Sequence, residues 1–172
     1  VNKTFAVLGA IAVLALFAFV AVWLSAPSVA PPVSQDIPVE AVEATVDYVH
    51  DGDTLFVNLD GERVKVRLIG IDTPEVGDNF ECYGDEATAL ARSLMPSGST
   101  VWALADGGTH DRYGRSLFYL FTDEGTLVNV ELVARGAAET LLISDNDRYW
   151  PELEAAERVA REGGVGVWGA CS

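Results

Sequence analysis

Apolar residues recur along this chain in three rhythms, and each predicts a different element. Residues 5–24 form an unbroken run of 20 without a charge, long enough as a helix to cross a hydrocarbon layer of about 30 Å. Partial alternation then takes over in ATVDYV (44–49), TLFVNL (54–59) and RVKVRLIGI (63–71). It predicts one strand followed by a hairpin turning at Asp60 and Gly61. TVWALA (100–105) and RSLFYLF (115–121) predict two more strands across the polar loop DGGTHDRYG. A period of 3.6 marks three helices. The first, over 85–95, carries Ala87, Leu90, Ala91 and Leu94 on one face before Pro96 and Gly98 stop it. The second is LVNVELVARG, ending at Gly136, and the third is PELEAAERVAREGG, with Pro151 at its start and Leu153, Ala156, Val159 and Ala160 on its apolar side.

Five short strands with a helix between the third and fourth predict a mainly β, α+β domain: a five-stranded Greek-key barrel of the OB type with three helices. Trp102, Trp150, Trp168, Phe118, Tyr119 and Phe121 are expected in its core, because aromatics on strands and at a closing helix are usually buried. The chain divides into an N-terminal membrane segment (1–26), a spacer (27–42) stiffened by Pro27, Pro31, Pro32 and Pro38, and the barrel domain (43–172). Ser28 and Ala30 offer a cleavage site, but the apolar run exceeds the roughly 7 to 15 residues of a signal peptide, and Pro31 disfavours cleavage. An uncleaved anchor is the expectation, with secretion after cleavage as the alternative. Lys3 is the only Lys or Arg before Arg63, which places the domain outside the cytoplasm.

Charge complicates the picture. Eleven Lys and Arg stand against 26 Asp and Glu, a formal charge of -15, so the surface repels a polyanion unless a metal ion or local arginines offset the field. Solubility explains such a balance; adaptation to high salt is the sharper alternative. Cys82 and Cys171 are the only cysteines. In an oxidising compartment they can form one disulfide worth ~4 kcal/mol of chain entropy. Two buried thiols are the other reading.

Three segments stand out for chemistry: DGDT (51–54), RLIGIDTPE (67–75) and DRYGR (111–115). Each alone is a turn or a solvated loop. Together they place the carboxylates Asp53, Asp72 and Glu75 at strand ends, beside the permanent cations Arg67 and Arg115. Clustered carboxylates repel one another without a cation, and oxygen-only donors favour a hard ion of the Ca²⁺ type, although the donor set alone leaves Mg²⁺ open.

In order, spacing and sequence these segments resemble the catalytic core of the staphylococcal nuclease (thermonuclease) family. The likeness extends over residues 44–168, including Asn129 in LVNVELVARG and the closing Val167 and Trp168. The resemblance implies a calcium-dependent nuclease, active on DNA or RNA as a monomeric domain. It implies that the Asp53 and Asp72 carboxylates and the Thr73 main-chain carbonyl bind Ca²⁺, with Asp51 close by. Glu75 would stand next to the attacking water as general base, while Arg67 and Arg115 grip the scissile phosphate through bidentate hydrogen bonds. Arg112 and Tyr113 would hold a neighbouring phosphate. The implied reaction expels the 5'-oxygen and leaves a 3'-phosphate. Leu142 departs from the pattern where some members carry a base-stacking tyrosine, and the acidic surface departs from their basic one. The rival reading is a non-catalytic OB module that binds nucleic acid or protein.

Other features read more plainly. His50 and His110 lack a two-histidine ligand spacing and are expected as loop residues. Arg63 and Lys65 alternate with Val64 and Val66 as an outward strand face, with guidance of a nucleic-acid strand as the alternative. Glu152, Glu154, Glu157 and Glu162, with Arg158 and Arg161, form a solvated helix side.

Overall fold

The structure, a computed structural model, describes residues 35–143 and 145–171. Five strands close into a barrel in the order β1 (Val42–Val49), β2 (Thr54–Leu59), β3 (Glu62–Leu68), β6 (Ser116–Thr122) and β5 (Thr100–Leu104). All neighbouring pairs are antiparallel except β3 with β6, which run parallel in the register Val66–Ser116 and Arg67–Leu117. A parallel pair needs a long crossover, and here it contains helix α1 (Gly84–Leu94) and β5. The β2–β3 hairpin turns on Asp60 (φ 51°) and Gly61 (φ 83°), the left-handed pair that matches the twist of the strands. Alternation then sends Leu55, Val57, Val66, Leu68, Leu117 and Tyr119 inward, where all are fully buried. The five strands and three longer helices expected are therefore present.

The third strand ends sooner than its apolar run suggests. Gly70 takes φ +78°, and a Cβ there would lie 2.5 Å from Leu153 Cδ1, so the chain leaves the barrel ladder at a residue only glycine suits. Beyond this break a two-residue strand, β4 (Ile71–Asp72), pairs with β7 (Glu139–Thr140) as Ile71–Thr140 and Asp72–Glu139. The deviation swings Asp72 off the barrel wall.

Helices α2 (Val128–Ala134) and α3 (Trp150–Glu162) pack on each other, and α2 also rests against β6 and α1. Buried Asn129 ties this arrangement together: the Leu120 N–H donates to its Oδ1 at 3.0 Å, and its Nδ2 donates to the Ile69 carbonyl at 2.8 Å. Losing the amide would strand two buried backbone groups at about 1–3 kcal/mol each. Tyr119 and Phe121 are fully buried, and Trp102, Phe118 and Trp150 pack against the core as expected. Trp168, expected in the core, is instead half-buried in the short helix α4 (Val167–Ala170), with the Arg161 guanidinium 4.0 Å from its ring.

Cys82 and Cys171 are joined in a disulfide that spans 89 residues and fastens the segment before α1 to the end of the chain. At the other end, Ile37 packs on the core, Ala41 is buried, and the Gln35 N–H donates to the Gly125 carbonyl. The last residues of the proline-rich stretch thus lie against the barrel. The expected membrane helix lies outside the described residues, among which no helix is long and apolar enough to cross a membrane.

Candidate active site

The turn from β1 to β2 is built by its own aspartate. Asp51 Oδ1 accepts the N–H groups of Asp53 (3.1 Å) and Thr54 (2.7 Å), an Asx turn that closes the loop locally. Gly52 has no Cβ because Thr73 is already there, 2.7 Å from where one would sit. Turn DGDT and segment IDTPE are thereby pressed together. Asp53, 7 % exposed, receives a hydrogen bond from the Thr54 hydroxyl at Oδ1, and bonds from the Thr73 N–H (3.1 Å) and hydroxyl (3.2 Å) at Oδ2. Burial is the main cause that pushes its carboxyl up to about 6. Arg67 pulls the other way, and the nearby Asp51 adds to the rise.

Arg67 projects from β3 into this cluster and is almost wholly enclosed. Its Nη1 donates to the carbonyls of Leu68 and Ile71, both at 2.7 Å. Its Nη2 lies 2.8 Å from Asp72 Oδ1 and 3.2 Å from Asp53 Oδ2. One guanidinium nitrogen thus bridges the two aspartates. Buried ion pairs need such additional hydrogen bonds to offset desolvation, and the two carbonyls exposed by the strand break at Gly70 supply them.

Arg115 enters from the start of β6. Asp111 folds the DRYGR loop by accepting the N–H groups of Tyr113 and Arg115 at Oδ1, both at 2.9 Å, and Arg115 Nε at Oδ2 at 2.6 Å. Burial pushes the Asp111 carboxyl up, but those hydrogen bonds outweigh it and hold it below the usual carboxylate range. Arg115 Nη1 also donates to the Thr54 hydroxyl at 3.3 Å, which joins this loop to the DGDT turn. Arg112 and Tyr113 stand at the rim. Tyr113 is 69 % exposed, with the Arg112 guanidinium 4.8 Å from its ring.

Glu75 is exposed and lines the same cleft. Its backbone is held twice by Glu81: the Glu75 N–H donates to Glu81 Oε2 at 3.0 Å, and the Glu81 N–H donates to the Glu75 carbonyl at 2.9 Å. Cys82 follows directly, so the disulfide anchors the loop that carries Glu75.

These segments surround one open cleft of about 410 Å³. Asp51, Asp53, Arg67, Asp72, Glu75, Arg112, Tyr113 and Arg115 all line it. Of the residues singled out in the sequence, Thr73 alone stands back, behind Asp53, with its N–H and hydroxyl turned to that carboxylate. Asp111 and Thr54, within the DRYGR and DGDT segments, and Glu81, which carries no motif signal, position the others. A shallow depression along α3, lined by Glu154, Glu157, Glu162, Arg158 and Arg161, shows no such convergence; most of it is the solvated helix side expected, but Glu157 is not, since its carboxylate accepts the Thr140 N–H (2.9 Å) and hydroxyl (3.1 Å) and ties α3 to β7. Leu141 and Ile143 close the end of the cleft; Leu142 is 48 % exposed. His110 lines it too, its ring engaged with the hydroxyls of Thr109 (3.1 Å) and Ser116 (3.4 Å).

The cluster suits a divalent cation. Among the described residues no group of three or more Asp, Glu, His or Cys side chains is placed to hold a metal ion; Arg67 Nη2 lies between Asp53 and Asp72. That nitrogen is a stand-in cation. It shows both carboxylates to be near enough to share one positive charge, while burial raises the Asp53 carboxyl more than the Arg67 guanidinium lowers it.

Residues 65–170 match the family described as staphylococcal nuclease homologue. This range includes Arg67, Asp72, Thr73, Glu75, Arg112, Tyr113 and Arg115; the DGDT turn precedes it. The chain is 32% identical over 126 residues to the thermonuclease of Staphylococcus intermedius, covering 72% of this chain and 74% of that one. It is 32% identical over 133 residues to the SPbeta prophage-derived endonuclease YokF of Bacillus subtilis (strain 168), covering 75% and 45%. It is 34% identical over 134 residues to an uncharacterized protein of Bacillus anthracis, covering 75% and 62%. The last two relatives thus extend well beyond the matched region. With the family match covering well over half of its residues, this chain belongs to the staphylococcal nuclease homologue family.

Proposed function

We propose that the chain is a calcium-dependent nuclease that hydrolyses phosphodiester bonds of DNA or RNA and leaves 3'-phosphate ends. The observation that carries this reading is the convergence of Arg67, Arg115, Glu75 and the Asp53–Asp72 pair on one cleft. Asp53 and Asp72, with Asp51 beside them, would hold the ion, Thr73 keeping Asp53 in place and offering its carbonyl. Bound there, a divalent ion supplies charge to a phosphate oxygen and acidifies an adjacent water.

The chain's own residues do the rest. Arg115 spends two of its five N–H donors, Nε on Asp111 and one Nη1 hydrogen on Thr54, which orients its remaining donors for a phosphate. Arg67 is aimed by its two backbone carbonyls, and the Nη2 that now bridges the carboxylates is the group that turns to phosphate oxygen once they have another cation. Arg115 is oriented before substrate arrives and Arg67 joins it, and the hydrogen bonds of both strengthen as charge grows on the equatorial oxygens. Glu75 takes the proton of the attacking water. Arg112 and Tyr113 bind a neighbouring phosphate at the rim and set the register of the strand.

The same reading includes a tether. The apolar run of residues 5–24 supports an anchor that holds the domain outside the cytoplasm, with release after signal cleavage as the alternative. The disulfide accords with an oxidising compartment.

The test is release of acid-soluble nucleotides by the full chain with Ca²⁺, Mg²⁺ or chelator, alongside Glu75→Ala and Arg115→Ala. Cleavage should require Ca²⁺, and each substitution should lower kcat by about 10²–10³. Binding without cleavage, or wild-type rates in both variants, would leave a non-catalytic binding module instead.

A further inference from the structure

We propose that the Thr54 hydroxyl couples Arg115 to Asp53, so that the group gripping the phosphate and the group holding the ion act as one unit. The inference rests on the nuclease reading and adds to it a positioning residue. One oxygen makes both contacts: it accepts from Arg115 Nη1 at 3.3 Å and donates to Asp53 Oδ1 at 3.0 Å. The direction of this chain is forced. A guanidinium only donates and an ionised carboxylate only accepts, while a hydroxyl carries one hydrogen and two lone pairs. Thr54 therefore gives its single hydrogen to Asp53 and turns a lone pair to Arg115, which lies 61 residues further along the chain.

The oxygen sits at a fixed point. The Thr54 N–H donates to Asp51 Oδ1 at 2.7 Å, and its carbonyl accepts the N–H groups of His50 (3.0 Å) and Asp51 (3.2 Å). The side chain is β-branched and stiff at χ1, and the residue is 3 % exposed. Across the β2–β3 ladder Thr54 stands directly opposite Arg67, which places their Cβ atoms about 5 Å apart. Thr54 thus has Arg67 beside it and Arg115 bonded to it, and it spaces the two cations that must close on the same phosphate. Asp111 holds the Nε end of the Arg115 guanidinium, and Thr54 is what stops the Nη end from turning about that contact.

Groups joined in one hydrogen-bond chain do not lose their effects independently. Removing the hydroxyl releases Arg115 Nη1 and deprives Asp53 Oδ1 of its donor in the same step. Valine keeps the branched shape and loses both contacts. Serine keeps both contacts and loses only the methyl group.

The experiment compares the full-length wild type, Thr54→Val and Thr54→Ser, each also combined with Arg115→Lys, on one oligonucleotide with Ca²⁺. In Thr54→Val kcat should fall by about tenfold to a hundredfold while KM moves by less than about threefold, and Thr54→Ser should recover most of the loss. In the Arg115→Lys background the same Thr54→Val change should cost less than about threefold, because the partner is already gone. A second readout needs neither ion nor substrate: in chelator, the rotation that exchanges the two Nη groups of Arg115, followed by ¹⁵N NMR, should be about tenfold faster in Thr54→Val than in the wild type or Thr54→Ser. Thr54→Ala takes the place of Thr54→Val if the latter loses the native circular dichroism spectrum. Wild-type kcat in the variant, an unchanged exchange rate, or an equal loss in the Arg115→Lys background each overturns the coupling. A wild type that cleaves nothing, with exchange still faster in Thr54→Val, overturns the nuclease reading and leaves the coupling standing.

Discussion

Replacing Asp53 with asparagine should make the protein more stable at neutral pH while abolishing its activity. The Asp53 carboxyl rises from its ordinary 3.8 to about 6, chiefly through burial, so between those values the folded state binds a proton that the unfolded state does not. Stability from this group is therefore fully present below 3.8 and is lost as pH rises through 6. The loss amounts to about 3 kcal/mol. Asparagine carries no charge and avoids it, while its carbonyl can still accept from Thr73 and its amide can meet a Thr54 hydroxyl turned round to accept. Urea unfolding of both proteins in chelator, from pH 3 to pH 7.5, reads the difference directly. Other carboxylates titrate in both proteins and largely cancel. The advantage of Asp53→Asn should grow by about 3 kcal/mol across that range, whatever its value at pH 3. Calcium at a hundredfold excess over Kd should then stabilise the wild type by about 3 kcal/mol and the variant far less. A difference that stays flat, or shrinks as pH rises, would refute the claim that Asp53 is a carboxylate held short of positive charge.

Two further outcomes are expected. Arg115→Lys keeps the charge but loses the fork shared with Asp111 and Thr54, so kcat should fall by about a hundredfold or more with an unchanged circular dichroism spectrum; retention of most of the activity would show that charge alone suffices. Cys82→Ser/Cys171→Ser, or reduction of the wild type, should lower unfolding free energy by up to about 4 kcal/mol, and kcat should fall more than KM rises because the Glu75 loop loses its anchor; an unchanged urea midpoint would contradict it.

Much of the barrel was legible because its strands obey a period of two and its helices one of 3.6. The three chemical segments were legible because acid and arginine recur around glycine turns. What alternation does not encode is where a ladder stops. The run through Ile71 reads as one strand, yet the steric demand at Gly70 comes from Leu153, far along the chain. That break makes Asp72 a partner of Arg67. For the same reason Glu81 passes unnoticed and Asp111 reads only as part of the DRYGR segment: their work is to receive hydrogen bonds from particular backbone N–H groups, and no spacing announces it. Arg63 and Lys65 were readable as an outward face, but the Phe56 and Tyr48 rings beside them depend on cross-strand register, which a single strand's sequence does not contain.

The most direct measurement is a crystal structure of the full chain with Ca²⁺ and a phosphorothioate dinucleotide that resists cleavage. The expected result is an ion seated between Asp53 and Asp72 at the point Arg67 Nη2 now occupies, with Arg67 and Arg115 both on the phosphorothioate and Glu75 facing it from the other side. An ion bound elsewhere, or Arg67 still bridging the two aspartates with the dinucleotide outside the cleft, would contradict it.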